Sequence, residues 1–189
     1  MTHASFPRLR AGARATLLGA PLVAALLGAR VGDSTASYHV EIRRTTGGVP
    51  HVKADDLASA GYGMGYVWAE DHACTMSGRW LTTSAAVAQR FGKDGPGFAF
   101  DSRSGTLASD PYFQKLINEG WLDTLMRDRG PTGVLPEVRE LVRGYVAGYN
   151  RYLSDVKFTL SDPRCAGADW IRPITERDLY FNATYWSDM

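Results

Sequence analysis

The 189-residue sequence has no Gly-x-Ser-x-Gly elbow, no His-Glu-x-x-His pair, no Walker loop and no Cys-x-x-Cys pair. It therefore carries none of the local signatures of an elbow serine hydrolase, a zincin, a phosphate-binding loop or a paired-cysteine metal or redox centre. It also lacks a charge excess, with 21 basic and 20 acidic residues. Setting aside the first 36 residues, with four arginines and one acid, leaves 17 bases and 19 acids, or −2. No basic field for nucleic acid is present, and no acidic tail. Long apolar runs are missing too. Ala15 to Ala29 is the longest uncharged apolar stretch, and it contains Gly19, Pro21 and Gly28. A spanning helix needs about 20 such residues, so no membrane span is expected.

That apolar stretch follows Arg8, Arg10 and Arg14 and precedes the small-x-small step Ser34-Thr35-Ala36. A basic start, an apolar middle and a small-residue end make residues 1–36 a cleavable export signal and place the mature protein outside the cytoplasm, secreted or periplasmic. Export bears on the two cysteines, Cys74 and Cys165. An even count in an oxidising compartment favours a disulfide between them over two unpaired, buried thiols. The loop so closed would contribute roughly 3–5 kcal/mol on the chain-entropy account.

What is present from residue 37 onward reads as one domain, mostly helical after a short hairpin. Tyr38, Val40 and Ile42 alternate with His39, Glu41 and Arg43, the period of a half-buried strand. Gly47-Gly48 makes a turn into a second strand, Val49 to Lys53, whose Pro50 places it at an edge or a start. Asp55-Asp56 precedes a long helical stretch, Leu57 to Arg90. Within it Gly61 and Gly65 share one helical face, at a propensity cost of about 1 kcal/mol each. Two aligned glycines predict another element packed close against that face. Residues 92–109 read as irregular and Asp110 to Arg129 as a helix. From Pro136 the spacing of Val138, Leu141, Val142, Tyr145, Tyr149, Tyr152 and Leu153 predicts one apolar stripe. Thr175 with Asp178 has the spacing of a capping box at the start of a last helix. Trp170, Tyr180, Phe181, Tyr185 and Trp186 crowd the last twenty residues, and a frayed end would leave them in water as a face for a missing partner.

Candidate chemistry is sparse. Asp71-His72 has the composition of an orienter and a base, but neighbours in sequence do not face one another on a helix. Glu70 and Asp71 could form an acid/base pair, yet carboxylates near element junctions are the commoner explanation. Asn182-Ala183-Thr184 fits a glycosylation sequon inside a predicted helix, and is discounted. Neither a metal nor a cofactor is expected.

Four ordered blocks, however, resemble the penicillin acylase family. Val40-Glu41-Ile42-Arg43-Arg44-Thr45 followed by Gly48-Val49-Pro50-His51-Val52 is similar to its opening strands. Residues 61–71, ending in Ala69-Glu70-Asp71, resemble its glycine–tyrosine helix. Arg143 to Leu153 resembles a further helix of its N-terminal (α) chain, and Trp170-Ile171-Arg172-Pro173-Ile174-Thr175 the segment before its last α-chain helices. Both cysteines stand where the branch of acyl-homoserine lactone, aculeacin and penicillin V acylases carries them. Gly47 replaces a tyrosine common in the family, and His72 an asparagine.

The resemblance implies an N-terminal nucleophile hydrolase, α+β, with an αββα sandwich in the full enzyme. Residues 37–189 would be its α-chain segment, mainly helical with a short N-terminal hairpin. The partner it implies is a β chain of the same precursor, freed by self-cleavage, whose N-terminal serine attacks the amide of an N-acylated small molecule. That cleavage falls at Gly-Ser, and the 189 residues contain no Gly-Ser or Gly-Cys step; Gly105-Thr106 is the nearest approach. No catalytic residue is therefore carried over. Tyr180, Thr184 and Tyr185, on the last helix, are the candidates for the wall of the acyl pocket, and contact with the β chain is the alternative role for each. Competing readings are an inactive truncated product and a secreted helical binding module.

Overall fold

In the computed structural model the described residues are 37–94 and 105–187. The export-signal reading of residues 1–36 lies outside them. The hairpin pairs β1 (Val40–Arg44) with β2 (Pro50–Ala54), Ile42 opposite Val52. Gly48, at φ 80°, adopts the left-handed conformation that lets the turn close. Thr45 N–H then donates to the Val49 carbonyl at 3.1 Å, and Gly48 N–H to the Thr45 carbonyl at 2.8 Å.

The helix α1 (Leu57–Thr83) starts on Asp56, whose carboxylate accepts from Ser59 N–H at 2.6 Å and Ser59 Oγ at 3.1 Å. It does not continue to Arg90. Ala85, at φ 53°, breaks it, and a separate short helix α2 (Val87–Phe91) follows. Asp110 supplies the α2 cap from 22 residues away, accepting from Val87 N–H at 3.2 Å and Ala88 N–H at 2.7 Å. The helix expected over 110–129 is two. α3 (Gly105–Glu119) begins earlier and runs through Pro111, and left-handed Gly120 (φ 68°) separates it from α4 (Trp121–Arg127).

The longest packing contact joins α1 to α5 (Pro136–Asp155). Glycines on both helices make it possible. A Cβ on Gly61 or Gly65 would overlap the carbonyls of Leu141 and Tyr145, and one on Gly144 or Gly148 those of Ala58 and Tyr62. The close partner predicted by the Gly61/Gly65 spacing is thus α5, which answers with its own pair. Gly63, between them, faces the hairpin: a Cβ there would meet Val52 Cγ1 at 2.5 Å and Val40 Cγ2 at 2.6 Å. The buried side of α5 consists of Val142, Gly144, Gly148, Tyr149 and Leu153. Val138, expected on that stripe, is exposed.

One core lies between α1, α5 and the connector 156–175, around Trp80, Tyr149, Leu153, Leu160, Ile171 and Ile174. Trp80 Nε1 donates to the Tyr149 hydroxyl at 3.2 Å, so the polar tips of both buried rings satisfy each other. A Cys74–Cys165 disulfide, 5.7 Å between Cα atoms, fastens the connector to α1. A second core, around Phe113, Leu122, Val142, Tyr180 and Phe181, joins α3, α4 and α5 to the last helix, α6 (Glu176–Ser187). The expectation of water-exposed aromatics near the C-terminus is corrected for Trp170, Tyr180 and Phe181, while the side chains of Tyr185 and Trp186 lie outside the described residues. Tyr180 and Phe181 are buried within this chain, and Trp170 packs edge-on to Phe91 with centroids 5.7 Å apart.

Candidate functional site

The residues singled out by pattern do not all converge on one place: Glu70, Asp71 and His72 line a cleft beside the disulfide, and Tyr180 lies in a separate core. Glu70 and Asp71 lie in mid-helix, not at a helix start, and both are engaged by a strand. Arg44 at the end of β1 reaches Glu70 Oε2 with Nη2 at 2.5 Å and Nε at 3.2 Å, and Asp71 Oδ1 with Nη2 at 2.9 Å. Its Nη1 also donates to the Gly48 carbonyl at 2.8 Å. The bonds to Asp71 and Glu70 hold the Arg44 guanidinium above its ordinary pKa. Ala-Glu-Asp therefore works as a carboxylate clamp between α1 and the hairpin. His72 turns away from Asp71 and meets the Trp68 ring edge, centroids 4.8 Å apart.

The Trp-x-Arg-Pro block and the helix Arg143 to Leu153 meet in a second set of polar ties. Asn150 Nδ2 donates to the Ile174 carbonyl at 2.9 Å, and Asn150 Oδ1 accepts from Ile174 N–H at 2.8 Å. An amide side chain thus pairs with the backbone as a neighbouring strand would. Arg172 grips Asp178 with two bonds, at 2.7 and 3.0 Å, and donates to Ser84 Oγ at 3.1 Å. Asp178 in turn accepts from Thr175 N–H at 2.8 Å, while Thr175 Oγ1 accepts from Asp178 N–H at 3.3 Å, which is the capping box read from the spacing.

Burial pushes the Asp178 carboxyl up, but the Arg172 and Thr175 bonds outweigh it and hold it below the ordinary carboxylate range. A lowered folded pKa means that the ionised form stabilises the fold above the unfolded value of 3.8 and is lost as pH falls through the folded value. Stability should therefore be flat in this group from pH 7 to about 5 and decline below about pH 4. Thermal unfolding of Asp178→Asn against the parent chain should show a shallower decline over that acid range. Arg172→Met should lower stability at pH 7 by about 2 kcal/mol, since Asp178 is left mostly buried without its cation while Arg172 itself is partly solvated.

The site candidates on α6 separate. Tyr180 is buried among Phe113, Leu122, Val142 and Phe181, and burial pushes its hydroxyl pKa up. The α6 backbone carries Thr184 and Tyr185 about one turn further on, and their side chains lie outside the described residues. Asn182 is buried. Gly105-Thr106 starts α3.

One exposed Ser–His contact exists, Ser37 Oγ to His39 Nε2 at 3.4 Å, both groups open to water. His39 is held by its backbone, which donates to Ser59 Oγ at 3.0 Å. No carboxylate bond to the His39 ring is seen among the described residues. A cleft of about 390 Å³ opens beside the disulfide, lined in part by Glu70, Asp71, His72, Asp162 and Arg164. Its acids are already paired, Glu70 and Asp71 with Arg44 and Asp162 with Arg164. Among the described residues no group of three or more His, Cys, Asp or Glu is placed to hold a metal ion, and no helix is long and apolar enough to cross a membrane.

The sequence reading missed Arg44, Asn150 and Arg139. Arg139 donates to the carbonyls of Val134, Met126 and Asp128 at 3.0, 2.7 and 2.7 Å, which sets the α4–α5 turn. The one available signal was a polar residue, Asn150, embedded in the most strongly patterned helix. Arg44 and Arg139 look in sequence like ordinary surface charges.

Fold and polar network together define a helical framework whose charged groups tie its elements to one another. The chain matches the Penicillin amidase family over residues 39–186 and belongs to that family. It is 37% identical over 159 residues to aculeacin-A acylase of Actinoplanes utahensis, covering 83% of this chain and 19% of that protein. It is 39% identical over 146 residues to acyl-homoserine lactone acylase PvdQ of Pseudomonas fluorescens Pf-5, covering 74% and 17%. The chain thus spans about a fifth of the length of these relatives. A thermostable penicillin G acylase from Alcaligenes faecalis has the same fold, with TM-score 0.54 and 24% identity over 82% of this chain and 77% of that one. The mainly helical fold with one short hairpin agrees with that likeness.

Proposed function

We propose that this chain is the export signal and α-chain part of a secreted or periplasmic amidohydrolase, one that removes the acyl side chain of an N-acylated small molecule. Acyl-homoserine lactones, aculeacin A and penicillins are the substrates that the names of its family and relatives suggest, and lipopeptides are a further proposed class. The nucleophile belongs to a downstream β chain whose N-terminal serine is activated by its own α-amine. A serine hydroxyl is a weak nucleophile until a nearby base takes its proton, and a terminal amine with pKa near ~8 suits that task. Backbone and side-chain donors of the β chain stabilise the oxyanion.

The observation that carries this reading is what the family-like residues do. Arg44, Glu70, Asp71, Asn150, Arg172 and Asp178 are spent on each other or on the backbone. Scaffold residues of an enzyme whose chemistry lies on another chain would be used in this way. Tyr180, Thr184 and Tyr185 remain the α6 residues proposed for the wall of the acyl pocket, with contact to the β chain as the alternative role for each.

Expression of the 189-residue chain alone and of the longer precursor tests the proposal. The processed two-chain product should hydrolyse N-acyl substrates, and the chain alone should give no turnover above buffer. Turnover by the chain alone would overturn the placement of the nucleophile. In the active two-chain enzyme Tyr185→Ala should change the preferred acyl length without abolishing hydrolysis.

A further inference from the structure

Cleavage after Ala36 would make Ser37-Tyr38-His39 the first three residues of the mature chain. A free α-amine, two peptide N–H groups and an imidazole on the third residue then lie on one short stretch of backbone. Four nitrogens can close around a single ion in a plane: the α-amine, the amide nitrogens of Tyr38 and His39, and His39 Nδ1. Tetragonal nitrogen sets select Cu(II), which also heads the affinity order of divalent first-row metals. A proline at either amide would remove a donor, and neither position carries one.

The fold leaves this stretch able to wrap. Ser37 and His39 are exposed. The ladder starts with Val40 opposite Ala54, so the amides of Tyr38 and His39 are not held by a partner strand. The His39 ring already turns back over residue 37, with Nε2 3.4 Å from Ser37 Oγ. The Tyr38 ring stacks on Tyr62, centroids 4.6 Å apart, which fixes the middle residue against α1. One tie opposes the wrap. His39 N–H donates to Ser59 Oγ at 3.0 Å, and Ser59 Oγ donates to Asp56 Oδ2 at 3.1 Å. Coordination removes the His39 amide proton and ends the first of these bonds. The set uses one side chain only, so clusters of His, Cys, Asp or Glu, absent as groups of three among the described residues, do not announce it.

We propose that the mature N-terminus Ser37-Tyr38-His39 is a Cu(II) site. The ion binds the α-amine, both amide nitrogens and His39 Nδ1. The two amide protons, and that of the amine where it is charged, pass to solvent. No electron is transferred. The inference rests on the reading of residues 1–36 as a cleaved export signal.

The processed enzyme purified from an exporting host tests it, with the first residue fixed by N-terminal sequencing and Cu(II) alone as the probe. The enzyme should take up Cu(II) with the electron paramagnetic resonance signature of a square-planar, four-nitrogen set. His39→Ala should weaken uptake at least about a hundredfold, since a direct ligand is worth more than the ~10–100-fold of an outer-shell partner. A serine inserted between Ser37 and Tyr38 keeps the imidazole but moves it to the fourth residue, and should abolish the signature. His51→Ala and His72→Ala should leave it unchanged. Ser59→Ala should tighten uptake by roughly fivefold, about the value of one ordinary hydrogen bond, because the His39 amide then gives up no partner. An enzyme that begins at Ser37 but binds Cu(II) as well after His39→Ala, or keeps the signature after the insertion, would overturn the site. Uptake that is lost with His51 or His72 instead would also overturn it. Hydrolysis of an N-acyl substrate by the same samples leaves the acylase reading standing in either case. A first residue other than Ser37 would overturn the cleavage position and the site with it.

Discussion

Replacing Gly65 or Gly148 by alanine is expected to lower the melting temperature of the chain by about 4–8 °C, the opposite of what helix propensity alone predicts. In an isolated helix the change would gain about 1 kcal/mol. Here the new methyl group points at a backbone carbonyl of the facing helix, Tyr145 for Gly65 and Tyr62 for Gly148. A side chain could rotate away, but a carbonyl in mid-helix can move only if the whole helix moves. Overpacking of this kind costs about 3 kcal/mol, which leaves a net loss of about 2 kcal/mol. Widening the α1–α5 spacing would also loosen Trp80 against Tyr149. Gly47→Ala is the matched control. Its φ is not positive and its Cβ would come no closer than 3.9 Å to Thr45 Oγ1, so it should be nearly neutral. Thermal unfolding followed by circular dichroism reads all three. Equal melting temperatures for Gly65→Ala and Gly47→Ala would contradict the close helix contact.

Removal of the disulfide should have a larger effect. The Cys74→Ala/Cys165→Ala pair frees a loop of 91 residues in the unfolded chain. On the chain-entropy account that costs about 4–5 kcal/mol, or roughly 10–20 °C in melting temperature for a chain of this size. The folded state also loses its tether. Cys165 sits in a connector with little regular structure, and the connector brings Leu160, Ile171 and Ile174 into the core. With the bond gone, exposed or half-exposed polar ties remain on that segment, from Asn150 to Ile174, Arg172 to Asp178 and Ser84, Arg90 to Asp169 and Arg164 to Thr75. The loss should appear as lower urea resistance and as early proteolytic cutting between residues 156 and 170. Treatment of the parent chain with reductant should reproduce it. A melting temperature that moves by less than 2–3 °C would mean that the core holds the connector unaided.

The sequence disclosed this fold where the signal was local. The alternation around Val40 and Ile42, the Gly47-Gly48 turn, the stripe from Leu141 to Leu153 and the Thr175/Asp178 cap are all decided within a few residues, and each is found in the structure. The Gly61/Gly65 spacing also announced a close neighbour, though not which one. What sequence could not supply was partnership across distance. Arg44 and Glu70 are 26 residues apart, and Asp110 caps a helix 22 residues earlier. The end of α1 at Thr83 was equally hidden, since Ala85 takes a left-handed conformation that its side chain does not advertise. Burial of Tyr180 and Phe181 was misjudged because fraying was expected of the last helix, whereas α3 and α4 cover that part of it. Gly120 turns the chain between α3 and α4, and Trp121 stacks on Phe181, with centroids 6.1 Å apart.

The candidate site was less legible than the fold for a physical reason. Clusters of acids, a histidine and aromatic rings look alike in sequence whether they serve catalysis or packing. Their geometry here places the carboxylates against arginines and the rings against one another. The family match spans residues 39–186, and the four blocks read from the sequence fall into two sets of polar ties, the hairpin with α1 and α5 with the connector.

The most direct test of the central claim is to trap the acyl-enzyme of the full-length processed protein with a slowly released N-acyl substrate and locate the adduct by mass spectrometry of the separated chains. The account predicts one acyl group on the N-terminal serine of the downstream chain and none on any peptide between residues 37 and 189. An acyl group on Ser37, or on any other side chain in that span, would contradict it.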